Sequence, residues 1–282
     1  MTTPHAPAVA HLLLDAYLRD LFTVHHERGA AARFLGHGTI WITRPDRQPP
    51  PSPDQLGELL PLLGVQDPAV IRSTQQLLAP SPSPYQLLDT APGWYDRLAA
   101  CERMARSLRM CAPAAVPAVL QTPAYTAALA TAPLRPTAIE RCPARSRLLP
   151  AARTRRLTVV VNDAVLAAET GGPAVMAEQI AHLQQEALGE RAEIRVRSPS
   201  SGAIGQPACE IAFPGHRHRV FVSEEGYPLY VSGPLATASL TRQALNAALD
   251  DAASANASQA VLQHYRQIHE QRRLLQMLPK PS

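Results

Sequence analysis

The stretch Val116-Pro117-Ala118-Val119-Leu120-Gln121-Thr122-Pro123-Ala124-Tyr125 marks the main change of organisation along the chain. Pro117 favours an extended passage into it. Thr122 followed by Pro123 predicts a helix over 123–130, because Thr caps free backbone N–H groups and Pro fits a first helical turn. The residues before this stretch have the pattern of small helices, and those after it alternate between helices and strands. It therefore marks the place where a small N-terminal module gives way to a larger body.

Composition and charge restrict the function classes. The net charge of +4 would suit nucleic acid, but the excess is small and spread along 282 residues. The cysteines have no C-x-x-C spacing, and neither a signal-peptide pattern nor a long apolar run opens the chain. We expect a cytoplasmic protein with buried thiols, no metal site, no cofactor and no membrane association. The four cysteines are Cys101, Cys111, Cys142 and Cys209.

Short amphipathic patterns predict five helices in residues 1–80. The segments Ala32-Arg33-Phe34-Leu35-Gly36 and Ile42-Thr43-Arg44-Pro45-Asp46 resemble the A-x-x-L-G and V-S-R-I-E segments of phage-repressor-like (Xre-type) helix-turn-helix regulators. Ser52-Pro53 and Leu62-Leu63-Gly64-Val65 continue the resemblance. It implies an all-α module that binds DNA.

The predicted reading helix of this module is poor in base-contacting side chains. In a working member the early residues of the third helix lie in the major groove. Here residues 38–41 include none of the Arg, Lys, Asn or Gln side chains that make most specific base contacts, and only Thr39 carries a hydroxyl. Pro45 also removes a backbone donor. Arg44 and Arg47 retain the charge needed for phosphates. DNA binding through Thr39, Arg44 and Arg47 therefore stays open, and a degenerate structural module is the favoured alternative.

A Pro-rich stretch separates this module from the body. Pro80-Ser81-Pro82-Ser83-Pro84 favours a semi-rigid polyproline spacer. We predict a module over 1–80, a linker over 81–92 and a body over 93–282. The body opens with Trp94 and a predicted helix over 95–110, in which Glu102 lies beside an apolar stripe.

Three motifs of the body resemble the C-terminal domain of antitoxin-like transcriptional regulators of high-GC bacteria. Glu102-x-x-Ala105 and the stretch 116–125 match E-x-x-A and V-P-G-L-L-Q-T-x-x-Y, and Gly171-Gly172-Pro173 opens a segment that matches G-G-P-x-V-M-x-x-Q. Asp163 stands where that family has Glu. The resemblance implies a domain that receives a signal from a small molecule or a small protein.

The remaining patterns give the fold class. Residues 157–161 form a β-branched strand, 173–188 a clear amphipathic helix, and several short strands precede a long C-terminal helix. We predict a helix-rich α+β protein: an all-α five-helix module, followed by an α/β domain with a small, mainly antiparallel sheet. The terminal helix suits either domain packing or docking on a partner subunit, so a homodimer is an open expectation.

Recognised catalytic motifs are lacking from the sequence. His216 and His218 have metal-ligand spacing without an obvious third ligand, so an exposed turn is the favoured interpretation.

Two function classes remain. The first is a helix-turn-helix regulator-like protein with weakened or lost sequence-specific DNA binding, which senses a small molecule or small protein. The alternative is a repurposed secondary-metabolism enzyme, a cofactor-free cyclase or isomerase that acts on an apolar substrate through the shape of its pocket. The catalytic candidates are Glu102, Gln121, Tyr125 and Asp163. The ligand-binding candidates are Trp94, Glu102, Val119, Gln121 and Tyr125.

Overall fold

The computed structural model describes residues 8–25, 51–81, 83–131, 156–189, 192–198, 207–216, 219–224 and 227–278. The predicted second and third helices of the N-terminal module lie outside these residues, together with Thr39, Arg44, Arg47, Cys142 and His218. No helix in the described part of the chain is both long and apolar enough to cross a membrane.

The helices begin where the sequence supplies caps. Ser52 forms a capping box with Gln55. Asp67 directly precedes Pro68, and its side chain accepts a hydrogen bond from the Ala69 N–H group. Gly172, at φ 88°, precedes the long amphipathic helix. The helices are α1 Ala8–His25, α2 Pro53–Leu62, α3 Pro68–Gln76, α4 Trp94–Met104, α5 Pro123–Thr131, α6 Asp163–Ala167, α7 Pro173–Leu188, α8 Ala236–Asp251 and α9 Ala255–Met277, with a 3-10 turn at Ala118–Leu120.

Seven strands form one mixed sheet in the order β1-β7-β6-β5-β2-β3-β4. The strands are β1 Gln86–Leu88, β2 Ser107–Ala112, β3 Arg156–Asn162, β4 Glu193–Arg197, β5 Ala208–Ala212, β6 Arg219–Glu224 and β7 Pro228–Ser232. β2, β3 and β4 pair in parallel, whereas β1 and β7 pair antiparallel. Since parallel strands are usually covered on both faces, the apolar run in β3 fits its place between two parallel neighbours.

The chain divides into two compact units. The first comprises Met1–Ala105, Ile211–Val220 and Tyr227–Ala238, and the second comprises Arg106–Glu210, Phe221–Gly226 and Ser239–Ser282. The boundaries that we predicted from the Pro-rich stretch stay a prediction.

Each unit has a buried interior. In the first, apolar side chains of α1 and α2 pack together, and Arg97 and Asp89 form a fully buried ion pair at 2.7 Å. In the second, α7 and α9 pack against each other, and α9 also packs against β4. The interior of the second unit includes Val159, Val161, Met176, Ile180, Leu183, Ile194 and Leu262.

The predicted helix-rich α+β class is confirmed, with two corrections. The helix predicted over 95–110 ends at Met104, and Ser107–Ala112 is a strand. The sheet is accordingly larger than the small one predicted, and it contains parallel pairs. The physical reason is tertiary: Leu108 and Cys111 continue a helical apolar spacing, but pairing with β3 stabilises the extended chain, and such pairing overrides local propensity.

Candidate functional site

The stretch 116–125 carries a buried polar network in the second unit. Gln121 donates from Nε2 to the Val116 carbonyl at 2.7 Å, and its Oε1 accepts from the Thr126 hydroxyl at 2.9 Å. The Val116 N–H group donates to the Tyr125 hydroxyl at 3.3 Å. All these side chains are buried, and Val119 is buried beside them. The network fixes the bend that leads from the 3-10 turn into α5.

Gln179 of α7 joins this network from a second motif. Its Oε1 accepts from the Thr122 N–H group at 2.7 Å, and its Nε2 donates to the Leu120 carbonyl at 2.8 Å. One amide therefore pairs two backbone groups of a segment that has no regular secondary structure to satisfy them. Gln121, Tyr125 and Gln179 thus hold the chain in place, and their bonded polar atoms already have partners inside the protein.

Two other sequence candidates lie in the first unit. Trp94 begins α4 and is half-buried, with edge-on ring contacts to Tyr95 and Tyr227 at 5.7 and 5.9 Å. Glu102 lies later on α4 and is buried. His216 contacts the ring of Phe213. No cluster of three or more metal-ligating side chains occurs in the part of the chain that the structure describes.

Asp163 differs from the other candidates because part of its side chain is unsatisfied. It begins α6, and its carboxylate accepts a hydrogen bond from the Ala164 N–H group. Its Oδ1 atom is buried and has no hydrogen-bond partner among the described residues. Burial raises the pKa of this carboxyl group, an effect that the bond from Ala164 partly opposes.

His269 supplies a second unsatisfied atom on the facing helix. The imidazole is fully buried, and its Nε2 lies 2.8 Å from the Leu166 carbonyl of α6. Because a carbonyl can only accept, Nε2 must carry the proton, which leaves Nδ1 with a lone pair in the neutral ring. Nδ1 is buried without a partner among the described residues.

Tyr265 connects the two. It precedes His269 by one helical turn on α9, so both project from the same side of that helix. Burial raises the pKa of the Tyr265 hydroxyl, and the negative charge of Asp163 raises it further. We call this place the α6–α9 notch and define it by Asp163, Ala164, Leu166, Tyr265 and His269. Asp163 and Tyr265 are half-buried and Ala164 is exposed, so the rim reaches the protein surface.

The sequence pointed to Asp163 but not to His269. The signal was present: His269 follows Leu262 by seven residues and Tyr265 by four, which places an imidazole on the buried stripe of an amphipathic helix. A histidine in the apolar stripe of an amphipathic helix is a candidate site residue when the sequence also contains a candidate carboxylate.

A separate surface groove lies near the other end of α9. Its volume is about 370 Å³. The lining residues are Ala187, Leu188, Ala192, Glu193, Ile194, Ala255, Asn256 and Gln259. Its lining is mostly apolar, and Leu188 is 77% exposed at its edge. The groove provides a control location for any test of the notch.

Comparison with known proteins gives one match. The family model described as "Domain of unknown function (DUF5753)" matches residues 95–264. No curated protein and no solved structure matches the chain. The matched range includes Asp163 and ends next to Tyr265, five residues before His269.

Proposed function

The chain belongs to the DUF5753 family, and we propose that it is a regulator-like protein whose second unit receives a small molecule at the α6–α9 notch. One observation carries the proposal: Asp163 Oδ1 and His269 Nδ1 are buried, have no hydrogen-bond partner among the described residues, and lie on two helices that pack together. Leaving a buried polar atom unpaired costs about 1–3 kcal/mol, so such pairs are rare unless something else completes them.

The arrangement suits a site that receives a ligand, because the two unpartnered atoms belong to two separate helices of the second unit. α6 follows strand β3 directly, and α9 is the long C-terminal helix. A ligand that bonds both acceptors links them and favours the arrangement in which they are close. Such a ligand shifts the equilibrium between two states of the protein only if it binds one state more tightly than the other.

The regulator part of the proposal rests on the resemblance of residues 32–65 to helix-turn-helix proteins. Under this proposal DNA contact is weak, since residues 38–41 include none of the Arg, Lys, Asn or Gln side chains that make most specific base contacts. We further propose a cytoplasmic location. Three of the cysteines, Cys101, Cys111 and Cys209, are buried and form no disulfide bond, as is usual in reducing compartments.

A specific observation also favours the enzyme alternative. A general acid needs a carboxyl group that keeps its proton to higher pH than an exposed one does, and burial raises the pKa of Asp163 in that direction. In that case the notch is the acid end of a pocket for an apolar substrate. Product formed by the wild type but not by Asp163→Asn, from a compound that both proteins bind, would favour this alternative.

A thermal-shift screen tests the receiver proposal. The compounds are metabolites made by the enzymes that neighbouring genes encode. They are screened against the wild type and the variants Asp163→Asn and Leu188→Ala, the second of which alters the separate groove. We expect at least one compound to raise the melting temperature with dose in the wild type and Leu188→Ala but not in Asp163→Asn. Protection that depends on Leu188 and not on Asp163 would move the site to the groove and contradict the proposal.

A gel shift tests the regulator part. The upstream region of the gene is the probe, with bulk DNA as competitor, at low and moderate salt. We expect sequence-preferring binding that changes when the protective compound is added, because coupling between two sites is reciprocal. Binding that is salt-labile, indifferent to sequence and indifferent to the compound would contradict the regulator part alone.

A further inference from the structure

The outer edge of β4 carries backbone hydrogen bonds at two positions. The sheet order ends with β4, next to β3. At the start of the strand, the Ala192 N–H group donates to the Glu186 carbonyl at 3.3 Å. Near its end, the Val196 N–H group donates to the Ser258 hydroxyl at 2.9 Å, and the Val196 carbonyl accepts from the Ala253 N–H group at 2.9 Å. Both backbone groups of Val196 therefore point away from β3.

Ile194 lies midway between these two positions and on the same edge. Backbone groups reverse direction at each residue of a strand, so the N–H and carbonyl groups of Ile194 point to the same side as those of Val196. Neither group forms a hydrogen bond outside the sheet within the part of the chain that the structure describes. Ile194 is buried, so its unpaired donor and acceptor are costly. Such a pair on a strand edge is a template for one more extended residue.

The surface groove adjoins this opening. Its lining brings Glu193 and Ile194 of β4 together with Leu188 at the end of α7 and with Asn256 and Gln259 at the start of α9. Its volume of about 370 Å³ lies at the lower end of the range for small-ligand sites, about 300–1,000 Å³. The occupant that this space and the Ile194 backbone favour is therefore a short extended peptide segment.

The charge of the groove restricts the sequence of that segment. Glu193 is exposed, and among the described residues that line the groove it carries the one charge, with no basic side chain to offset it. Antiparallel pairing is commoner than parallel pairing. It places the residue that follows the partner of Ile194 opposite Glu193. A basic residue at that position complements the carboxylate, and an apolar residue before it matches the lining around Leu188.

We propose that this groove binds an extended segment of a partner polypeptide, in which an apolar residue pairs with the Ile194 backbone and the next residue is Lys or Arg. Backbone hydrogen bonds supply the affinity in this mode of recognition, and side chains supply the specificity. The groove is separate from the α6–α9 notch, so its test is independent of the proposed function.

Amide hydrogen exchange of the full-length protein tests whether the edge is free. In ¹H–¹⁵N spectra, the Ile194 amide should exchange at least about tenfold faster than the Arg195 amide, because Arg195 directs its N–H group at β3. Equal protection of the two amides would mean that the edge is already bonded, and it would overturn the proposal.

The peptide probe is acetyl-Thr-Val-Lys-amide, whose capped ends resemble the interior of a chain. The control is the same peptide with an N-methyl group on Val, which keeps the charge but cannot donate to the Ile194 carbonyl. Up to about 10 mM, a suitable limit for so small a ligand, the first peptide should shift the Ile194 amide resonance saturably and the second should not. Equal shifts, or none with the first peptide, would overturn the proposal. Tighter binding of the uncapped peptide would assign the groove to free peptides and contradict the partner segment.

Charge variants test the position of the basic residue. The wild type should bind acetyl-Thr-Val-Glu-amide about threefold to tenfold more weakly than the Lys peptide, because like charges then lie opposite each other. Glu193→Gln should remove this preference. Glu178→Gln is the matched control, since it neutralises an exposed carboxylate of α7 outside the groove, and it should retain the preference. A preference that survives Glu193→Gln would contradict the proposed pairing.

Discussion

The network of Gln121 and Gln179 and the α6–α9 notch are both buried polar sites in the second unit, yet they differ in completeness. In the first, each amide bonds in two directions, and Gln179 pairs two backbone groups. In the second, one carboxylate oxygen and one ring nitrogen have no hydrogen-bond partner in the part of the chain that the structure describes. A buried polar side chain that is fully bonded stabilises the fold, whereas one that is half-bonded is available to a ligand. Their responses to substitution should therefore differ in size and in sign.

The largest effect should come from the most complete polar site, in the first unit. Arg97 forks onto Asp89 at 2.7 and 2.8 Å and also donates to the Pro92 carbonyl, with no exposed surface. Arg97→Ala should lower the free energy of unfolding by about 3–5 kcal/mol, because Asp89 is left as a buried unpaired charge. Urea denaturation measures this.

The matched control is Arg19→Ala, which breaks the partly exposed pair with Asp15 at 2.8 Å. It should cost about 1 kcal/mol or less. Similar losses of unfolding free energy in Arg97→Ala and Arg19→Ala would mean that burial and full hydrogen bonding of an ion pair do not determine the cost of breaking it.

Gln179→Leu should give the next largest effect, about 2–4 kcal/mol. The substitution keeps an apolar side chain of similar length but leaves the Thr122 N–H and the Leu120 carbonyl buried and unpaired. Gln184→Leu on the same helix is the control, because its bond to Gln263 is exposed. A loss for Gln179→Leu no larger than the control would contradict the structural role of the network.

His269→Phe should cost much less, about 1 kcal/mol at most. It leaves one backbone group, the Leu166 carbonyl, without its imidazole donor, whereas Gln179→Leu affects two. It also removes a buried nitrogen that has no partner among the described residues, which offsets part of the loss. Chemical denaturation of this variant beside Gln179→Leu compares the incomplete site with the complete one directly. A loss equal to that of Gln179→Leu would indicate that His269 is already fully bonded in the ligand-free protein.

Asp163→Asn should have the smallest effect and the opposite sign. Burial raises the pKa of Asp163 above its ordinary value of 3.8, so the folded state holds the proton more tightly than the unfolded state. The free energy of unfolding therefore decreases as pH rises from 3.8 through the pKa of Asp163 in the folded state. The variant should be more stable than the wild type at pH 7, and the difference should vanish below about pH 4.

Melting curves from pH 3 to pH 8 measure this dependence. A wild type that gains stability relative to the variant as pH rises would mean that the carboxylate already has a partner inside the protein.

Local signals were enough for most of the helices. Ser52, Asp67 and Pro173 mark three helix starts that the structure contains, and the β-branched run 157–161 lies within β3. β2 could not be predicted in this way, because its extended form depends on pairing with a strand about fifty residues away in the sequence.

The site was predictable in part. The resemblance pointed to Asp163 and to the motif that contains Gln121, but only the fold separates the two, since whether a polar atom has a partner depends on segments distant in sequence. Gln121 bonds Val116 and Thr126 within its own segment, whereas His269 reaches Leu166 from a helix about a hundred residues later. Periodicity alone left that stripe of α9 open to domain packing or to docking on a partner subunit.

The most direct test of the receiving site is a long-range ¹H–¹⁵N correlation spectrum of the histidine side chains, recorded with and without a compound that protects the wild type in the thermal-shift screen. His269 is assigned by the signal that is lost in His269→Phe. We predict that Nε2 of His269 carries the proton that the Leu166 carbonyl accepts, and that the Nδ1 resonance alone moves as a donor binds it. An Nδ1 that already carries a proton, or a resonance unchanged by every compound that stabilises the protein, would contradict the account.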